Sequence, residues 1–183
     1  NNLGSMYRIG DGVAEDDVEA ARWLLLAAQQ GDAIAQSNLG NMYYAGEGVP
    51  EDYVEAANWF RVAAEQGNPS AQYNLGLIYD NGRGVREDDV EAVRWYRLAA
   101  DQGDAYAQSN LGNMYYAGEG VPEDYVEAAH WFRVAAEQGD ELAQNNLGSM
   151  YRIGDGVAED DVEAARWLLL AAQQGDAIAQ SNL

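Results

Sequence analysis

The chain has 183 residues, with 31 acidic residues against 10 basic ones and a formal net charge of -21. This charge argues against binding to nucleic acid or to an anionic membrane surface, because both need a basic face that neutralises phosphate. The absence of cysteine excludes disulfides, thiolate metal sites and a cysteine nucleophile, and no apolar run reaches the about 18 residues that span a bilayer.

A 36-residue period runs through the whole chain and predicts a repeat protein. Each block carries Asn-Leu-Gly near its start, then Gly-x-Gly-Val, Asp-x-Val-Glu-Ala, a tryptophan and Ala-Ala-x-Gln-Gly. We therefore expect one continuous array over residues 1–183, made of five repeats and the start of a sixth. The five blocks are 1–36, 37–72, 73–108, 109–144 and 145–180.

The first predicted element of each block is a helix with a short polar cap. In one block Asp32 caps a helix that runs through Ala45. Residues 46–48, Gly-Glu-Gly, then end it, because glycine adopts backbone angles that other residues resist. The next block begins with Asn68 as the cap and Pro69 at the first helical position, where the missing N–H costs nothing.

The second predicted element is a helix that begins after Asp52 and ends near Gln66. Glu55 lies three residues after the cap, which is the spacing of a capping box, and Gly67 supplies a left-handed stop. Each repeat is therefore predicted to be a pair of antiparallel helices. One pair cannot bury both of its faces, so we expect the pairs to stack into an all-α solenoid.

The spacing of apolar residues predicts the core. The core positions of one repeat are Ala35, Leu39 and Tyr43 in the first helix and Ala56, Trp59, Phe60 and Ala63 in the second. Gly40 lies in the middle of the first helix, where glycine costs roughly 1 kcal/mol relative to alanine. We expect a close helix–helix approach at this glycine, with the Trp and Phe rings beside it and the tryptophan buried between the two helices of its own hairpin.

The repeats share the pattern A-x-A-Q-x-N-L-G-x-x-Y-x-x-G-x-G-V-x-x-D-x-x-E-A-x-x-W-x-x-x-A-A-x-Q-G. Over the whole chain, this pattern resembles the Sel1-like repeat, a relative of the tetratricopeptide repeat. The resemblance implies a right-handed superhelix of antiparallel helix pairs and a scaffold or adaptor role. It also implies an exported bacterial protein or one of the endoplasmic reticulum, of which an exported or extracellular bacterial protein is favoured. Family members often have lysine where this chain has Glu55 and Val62, so these repeats are more acidic than the family pattern.

Positions that differ between repeats lie on one stripe of the first helix, with the spacing i, i+3, i+7, i+10. In tetratricopeptide-like arrays this stripe lines the concave groove, so the resemblance implies a groove for a protein or peptide. The alternative is a neutral surface whose residues drift. The candidate binding residues are Ile34, Ser37, Asn41, Tyr44, Ser70, Tyr73, Leu77, Asp80, Tyr106, Ser109, Asn113, Tyr116, Leu142, Asn145, Ser149 and Arg152.

No arrangement of residues predicts catalysis, a cofactor or a metal site. His130 is the single histidine and replaces Asn58 of a nearly identical repeat, as expected for a helix surface. The Gly-x-Gly pairs lack a third glycine and follow no predicted strand, which argues against a dinucleotide site. The acidic cluster of Asp11, Glu15, Asp16 and Asp17 lacks the alternating spacing of a calcium loop, and capping accounts for Asp16. We expect the protein not to be an enzyme.

The two ends of the chain share one sequence, because residues 1–39 are identical to residues 145–183. The chain begins and ends inside predicted first helices, without the atypical capping repeats that solenoids normally carry. It is an excerpt of a longer array, a subunit that joins head to tail, or an engineered consensus-like protein.

The first two alternatives favour a structural function: end-to-end self-assembly into a superhelical filament or tube, with other copies as partners and without nucleic acid or membrane insertion. The alternative function is a soluble adaptor that binds a protein or peptide in its groove. The residues expected at the assembly ends are Leu3, Tyr7, Ala179 and Leu183.

Overall fold

A computed structural model describes residues 2–10 and 12–174. These residues form ten α-helices and no strand, as the sequence predicted. The helices are α1 (Asn2–Ile9), α2 (Asp17–Gln29), α3 (Ala33–Ala45), α4 (Tyr53–Glu65), α5 (Pro69–Asn81), α6 (Asp89–Ala100), α7 (Ala105–Ala117), α8 (Tyr125–Glu137), α9 (Glu141–Ile153) and α10 (Asp161–Gln174). They fall into two compact units, Asn1–Asp88 with α1–α5 and Asp89–Leu183 with α6–α10.

Consecutive helices pack against each other inside each unit. In the first unit, α2 and α3 form a core whose buried residues include Leu24, Leu39 and Met42. In the second unit, α8 and α9 form an equivalent core around Phe132 and Leu147. Each core thus joins the second helix of one repeat to the first helix of the next, and this is how neighbouring hairpins stack.

The first helix of the hairpin begins and ends as predicted. The Asp32 carboxylate accepts a hydrogen bond from the Ala35 N–H at 2.9 Å, and Gly46 ends α3 in the left-handed region with φ 71°. Asn68 caps α5 in the same way, with Pro69 at the first helical position. Caps of this kind satisfy backbone N–H groups that the helix itself leaves without partners.

The second helix is also confirmed, but its predicted capping box is only half formed. The Asp52 carboxylate accepts from the Glu55 N–H at 3.1 Å. The Asp52 N–H does not turn to Glu55, because it donates to the Tyr43 carbonyl at 2.9 Å. This backbone hydrogen bond ties the start of α4 to the end of α3, and it replaces the reciprocal half of the box.

The glycine in the middle of the first helix lies against the phenylalanine ring of the second. A β-carbon added to Gly40 would be 2.7 Å from Phe60 Cδ1, and one added to Gly112 would be 2.7 Å from Phe132 Cδ1. Real β-carbons do not approach other atoms so closely. The predicted close approach is therefore confirmed for these helix pairs, and the ring takes the space that a larger residue in α3 or α7 would need.

The predicted position of the tryptophans is wrong in part. Trp59 packs on the core formed by α2 and α3, and Trp167 on the core formed by α8 and α9. Each ring thus covers the junction with the preceding repeat and not only its own hairpin. Trp23, which follows no earlier second helix in the described chain, is 38% exposed, whereas Trp167 is 5% exposed. The periodicity placed Trp and Phe on one face and did not separate these two roles.

The second glycine of each Gly-x-Gly loop brings the backbones of two repeats together. A β-carbon on Gly84 would overlap the backbone of Tyr53 at the start of α4, and one on Gly156 would overlap that of Tyr125 at the start of α8. Both glycines also have positive φ, 72° and 66°. The loop that ends a first helix is thereby fixed over the beginning of the previous second helix.

Side chains of the shared motif form hydrogen bonds between successive helices. The buried Gln108 amide donates to the Ala100 carbonyl at 3.0 Å, and its oxygen accepts from Gln138 at 2.7 Å. Arg133, which lies outside the shared motif, donates to the hydroxyl of the motif residue Tyr151 at 2.8 Å. The glutamines of Ala-x-Ala-Gln and Gln-Gly thus hold three helices in register, a role that the sequence pattern alone did not assign.

Candidate functional site

The predicted binding stripe divides into exposed and buried positions. Ser37, Ser109 and Asn145, which all occupy its second position, are buried. They cannot line an open groove as the sequence predicted, because this turn of the helix faces the protein interior. The other stripe residues are exposed or half-buried: Ile34, Asn41, Tyr44, Ser70, Tyr73, Leu77, Asp80, Tyr106, Asn113, Tyr116, Leu142, Ser149 and Arg152.

The first and last positions of the stripe carry its most exposed apolar and aromatic groups in the second unit. Tyr106 is 65% exposed at the start of α7, and Tyr116 is 38% exposed at its end. Leu142 is exposed at the start of α9. Large rings and aliphatic chains in contact with water favour contact with another protein, because burying them releases water from apolar surface.

In each unit, a pair of asparagines links a stripe residue to the first helix of the next repeat. The Asn146 side chain donates to Asn113 Oδ1 at 3.1 Å, and the Asn74 side chain donates to Asn41 Oδ1 at the same distance. In each pair the donor is the asparagine of the Asn-Leu-Gly motif. Each pair places amide groups between two successive first helices.

A small cavity opens beside the Asn113–Asn146 pair. It measures about 140 Å³ and is lined by Asn113, Tyr116, Phe132, Asn146, Ser149 and Met150. Its lining combines apolar groups from α8 and α9 with amide, hydroxyl and phenol groups from α7 and α9. The cavity has the size of one side chain and the mixed lining that ligand pockets commonly have. It brings together three predicted stripe residues from two helices.

Two tyrosine pairs lie where a first helix ends and a second begins. In the first unit the Tyr44 and Tyr53 rings have their centroids 5.2 Å apart and meet edge to face. Arg83 lies over both rings, with its guanidinium carbon 5.7 and 5.6 Å from the two centroids. Its Nη1 donates to the Tyr44 hydroxyl at 2.6 Å. The pair in this unit is therefore covered by a cation from the same chain.

The equivalent pair in the second unit has a carboxylate where the first has the guanidinium. The Tyr116 and Tyr125 centroids are 5.1 Å apart, and the Tyr116 hydroxyl donates to Asp155 at 3.3 Å. Among the described residues no arginine lies over this pair. Burial, and then the charge of Asp155, raise the pKa of Tyr116 above its ordinary value of 10.0. A hydrogen bond to Glu123 raises the pKa of Tyr125.

Sequence reasoning missed Tyr53, Arg83, Tyr125 and Asp155 as members of this surface. Tyr53 and Tyr125 belong to the second helices, which the stripe argument left aside. Arg83 and Asp155 are the middle residues of Gly-x-Gly loops. That middle residue differs in charge between repeats, which is the one sequence signal that points to it.

The single histidine was expected on a helix surface, and the structure places it there. His130 is exposed on α8, and its ring meets the Trp131 ring edge to face at 5.2 Å. Within residues 2–10 and 12–174, no group of three or more histidine or acidic side chains is arranged to hold a metal ion. In the same residues, no helix combines the length and apolarity needed to cross a bilayer.

The predicted assembly residues lie partly within the described chain. Leu3 is exposed on α1, and Tyr7 is half-buried against the core of α2 and α3. Ala179 and Leu183 lie outside the described residues. The structure therefore describes the two predicted assembly residues on α1, but not the two that follow α10 in the sequence.

Comparison with protein families identifies the repeat. The model of the Sel1 repeat matches residues 1–32, 33–68, 69–104, 105–140 and 142–176. The chain belongs to the Sel1 repeat family. Proteins built from Sel1 repeats generally act as scaffolds for protein–protein interaction, and the family is typically not enzymatic.

Solved structures confirm the predicted fold class. A protective antigen present in uropathogenic Escherichia coli strains, which displays an SLR fold, is 43% identical with a TM-score of 0.94 over 98% of this chain and 38% of that one. A Sel1 repeat protein from Oxalobacter formigenes is 40% identical with a TM-score of 0.91 over 100% of this chain and 74% of that one. An immunity protein from Pseudomonas aeruginosa, 22% identical with a TM-score of 0.59 over 98% and 69%, shares the fold alone.

These likenesses establish an all-α solenoid of Sel1 helix pairs. The chain spans 38% of the length of the E. coli antigen. A comparison with curated protein sequences finds no match. Against the Sel1 pattern, the loop glycines and the glutamines that join repeats are shared by all five blocks, whereas the stripe and the middle residue of Gly-x-Gly differ. The differing residues are those that distinguish one Sel1 repeat surface from another.

Proposed function

We propose that this Sel1 repeat protein is an adaptor that binds a protein or peptide along the stripe of its first helices, with the main contacts in the second unit. The observation that carries the proposal is the cavity between α7, α8 and α9. Asn113, Tyr116 and Ser149 meet there, although they were selected only because they differ between repeats. Shared residues build the fold, so a cavity whose wall carries these three differing residues is suited to selective recognition.

The chemistry of the surface supports a peptide ligand. Tyr106 and Tyr116 offer large rigid rings that lose little side-chain freedom on binding, and such residues dominate the energy of many interfaces. Asn113 and Ser149 add groups that accept and donate hydrogen bonds. An apolar side chain of the ligand fits the cavity of about 140 Å³, while its backbone reaches the amides around the rim.

The absence of cysteine makes a direct test possible, because one introduced cysteine carries a photo-crosslinker at one known place. Peptides are first selected from a random library against the unmodified protein. They are then cross-linked to labelled Asn113→Cys, Ser149→Cys and, as the matched control, His130→Cys on the exposed face of α8. The proposal predicts cross-links at positions 113 and 149 and none at 130. Cross-links at 130 alone would overturn it.

End-to-end association is a second candidate function, and one specific observation favours it. Ala165 on α10 is exposed, although Ala57 and Ala129 at the same repeat position are 1% and 2% exposed. Leu169, one turn further, is 47% exposed. Residues 161–173 of α10 repeat residues 17–29, which form α2 and are covered by α3. A further Sel1 repeat, which residues 177–183 begin in the sequence and which another copy or a longer chain would complete, fits the face of α10 that is exposed in the described residues.

Trp23 supplies the opposite face for such a contact. Its ring is open to solvent where Trp59 and Trp167 cover the preceding repeat. A head-to-tail contact between unlike faces of this kind propagates into a filament unless it closes into a ring. The charge of -21 limits lateral clumping of such a filament.

Sedimentation across a range of protein concentrations tests the second candidate. Leu169→Glu should abolish concentration-dependent growth, because it places a charge in the contact. Leu170→Glu is the matched control, since Val62 and Leu98 at its repeat position are exposed as well. A parent protein that stays monomeric at all concentrations, or equal loss in both variants, would contradict end-to-end association.

A further inference from the structure

The tyrosine pair of the first unit already holds a cation, which is an arginine side chain of the same chain. Arg83 lies over the Tyr44–Tyr53 pair and donates to the Tyr44 hydroxyl. A guanidinium over aromatic faces gains from the ring quadrupoles, and the gain grows when water is excluded. Arg83 thus demonstrates, within this chain, which chemical group the tyrosine pair accepts.

The frame around the second pair is the same. The two pairs have centroid separations of 5.2 and 5.1 Å. Gly84 abuts the backbone of Tyr53, and Gly156 abuts that of Tyr125. These close approaches place the backbone of the residue between the two loop glycines in the same way beside each pair. In the first unit that residue is a cation, and in the second it is Asp155.

The charge around the second pair suits a cation from outside. Asp155 accepts from the Tyr116 hydroxyl, and the Glu123 carboxylate accepts from Tyr125. Two carboxylates therefore flank two aromatic faces that no arginine of the described chain covers, and Tyr116 is 38% exposed.

We propose that Tyr116, Tyr125 and Asp155 form a binding site for an arginine side chain of a partner protein, whose guanidinium takes the position over the rings that the Arg83 guanidinium takes in the first unit. The proposal rests on the proposed function and names the chemistry that the partner must carry. Arginine fits better than lysine, because its planar guanidinium stacks on the rings while its N–H groups reach the Asp155 carboxylate.

The site also has a defined position relative to the cavity. Tyr116 lines the cavity of about 140 Å³ and belongs to the aromatic pair. A peptide that places one side chain in the cavity therefore has a neighbouring side chain within reach of Asp155. The ligand class is a segment in which an arginine lies close to an apolar residue.

The test uses a small probe and needs no partner. Nα-acetyl-arginine methylamide is titrated into the full chain, and the ring resonances of the tyrosines are followed by NMR. Nα-acetyl-citrulline methylamide, which has the same shape without the charge, is the neutral control. The proposal predicts saturable shifts at Tyr116 and Tyr125 with the arginine probe, much smaller shifts with citrulline, and none at the Tyr44 and Tyr53 rings.

Reciprocal variants separate this site from general attraction to an acidic protein. Asp155→Arg should abolish the shifts at Tyr116 and Tyr125, because the new side chain occupies the pair as Arg83 does. Arg83→Asp should create saturable shifts at Tyr44 and Tyr53. Glu119→Arg, in a loop that abuts Asp89 instead of a tyrosine, changes the net charge equally and should leave the shifts intact.

Arg86→Asp is the matched control for Arg83→Asp, since it makes the same charge change on an exposed residue outside the pair. Circular dichroism of each variant confirms that it remains folded. Equal shifts with citrulline, equal loss in Glu119→Arg, or persistence of the shifts in Asp155→Arg would each overturn the arginine site. Cross-links of a selected peptide at positions 113 and 149 would still support the adaptor, so the two proposals fail separately.

Discussion

Gly120 lies directly against the backbone of Asp89, so that a β-carbon on the glycine would overlap the Asp89 carbonyl group. Gly120 closes the loop after α7, and Asp89 begins α6 of the preceding repeat. Gly48, Gly84 and Gly156, the equivalent glycines of three other loops, abut the backbone of the preceding second helix in the same way. The positive φ of Gly120, 66°, favours glycine, and the missing side chain lets two repeats touch through their backbones.

Replacing Gly120 with alanine should destabilise the protein more than replacing Gly139. Both glycines have positive φ, but a β-carbon on Gly139 meets no atom within 4 Å. Gly139→Ala therefore costs only the backbone strain, about 1–2 kcal/mol, whereas Gly120→Ala also pushes two repeats apart. Urea unfolding gives both values. Equal decreases in the free energy of unfolding would show that the close approach of Gly120 to Asp89 does not contribute to stability.

For the glycine inside α7, side-chain packing and helix propensity predict opposite changes in stability when it is replaced by alanine. Gly112→Ala should lower the free energy of unfolding by about 1–3 kcal/mol, because the new methyl group meets the Phe132 ring at 2.7 Å. Propensity alone predicts a gain of roughly 1 kcal/mol. In a Phe132→Ala background the clash is removed, so the same change should be neutral or stabilising. A stabilising Gly112→Ala in the parent would contradict the packing at this position.

The repeat made the helices and their ends predictable. Caps such as Asp32 and stops such as Gly67 act through neighbouring residues only, so five copies of one local pattern specify ten helices. Local signals did not distinguish Trp59 from Phe60, because both lie on the apolar face and their roles depend on which neighbouring helix each one meets.

The candidate site was less predictable than the fold, for a physical reason. The stripe argument found Asn113 and Tyr116, which lie on one helix at helical spacing. It included Ser109, which is buried, because variation marks freedom from a shared core and not exposure to solvent. It missed Asp155, since the loop reaches the tyrosine pair only through the contact between repeats.

The buried glutamine between repeats gives a pH-dependent prediction. Gln108→Glu keeps the shape but removes the N–H donor to the Ala100 carbonyl, and it buries a carboxylate. We expect a loss of about 1–3 kcal/mol at neutral pH. The pKa of the new carboxyl should be raised by burial, so the loss shrinks as pH falls towards about 4.

Gln29→Glu, on the exposed face of α2, is the control for Gln108→Glu and makes the same change in charge. It should alter the free energy of unfolding by less than about 0.5 kcal/mol. Thermal melts at pH 7 and at low pH test both variants. A Gln108→Glu protein whose loss is the same at both pH values would contradict a buried, hydrogen-bonded position for this side chain.

The two tyrosines of the pair in the second unit should lose their phenol protons at a higher pH than an ordinary tyrosine. Burial and Asp155 raise the pKa of Tyr116 above 10.0, so Asp155→Asn should lower that pKa while burial keeps part of the shift. A raised pKa in the folded state stabilises below the unfolded value, and this stability is lost as pH rises through the folded pKa. NMR titration of the ring measures the shift, with Glu119→Gln as control. An unchanged Tyr116 pKa in Asp155→Asn would contradict the contact.

The affinity of a selected peptide for two double variants tests the adaptor function most directly. Asn113→Ala/Tyr116→Ala removes both groups from the cavity wall, whereas Val126→Ala/His130→Ala removes two exposed groups from α8. Isothermal titration calorimetry gives each dissociation constant. We expect the first variant to bind at least about tenfold more weakly, a loss of about 1.4 kcal/mol, and the second to bind like the parent. Equal affinity of the parent and Asn113→Ala/Tyr116→Ala would contradict the proposed binding surface.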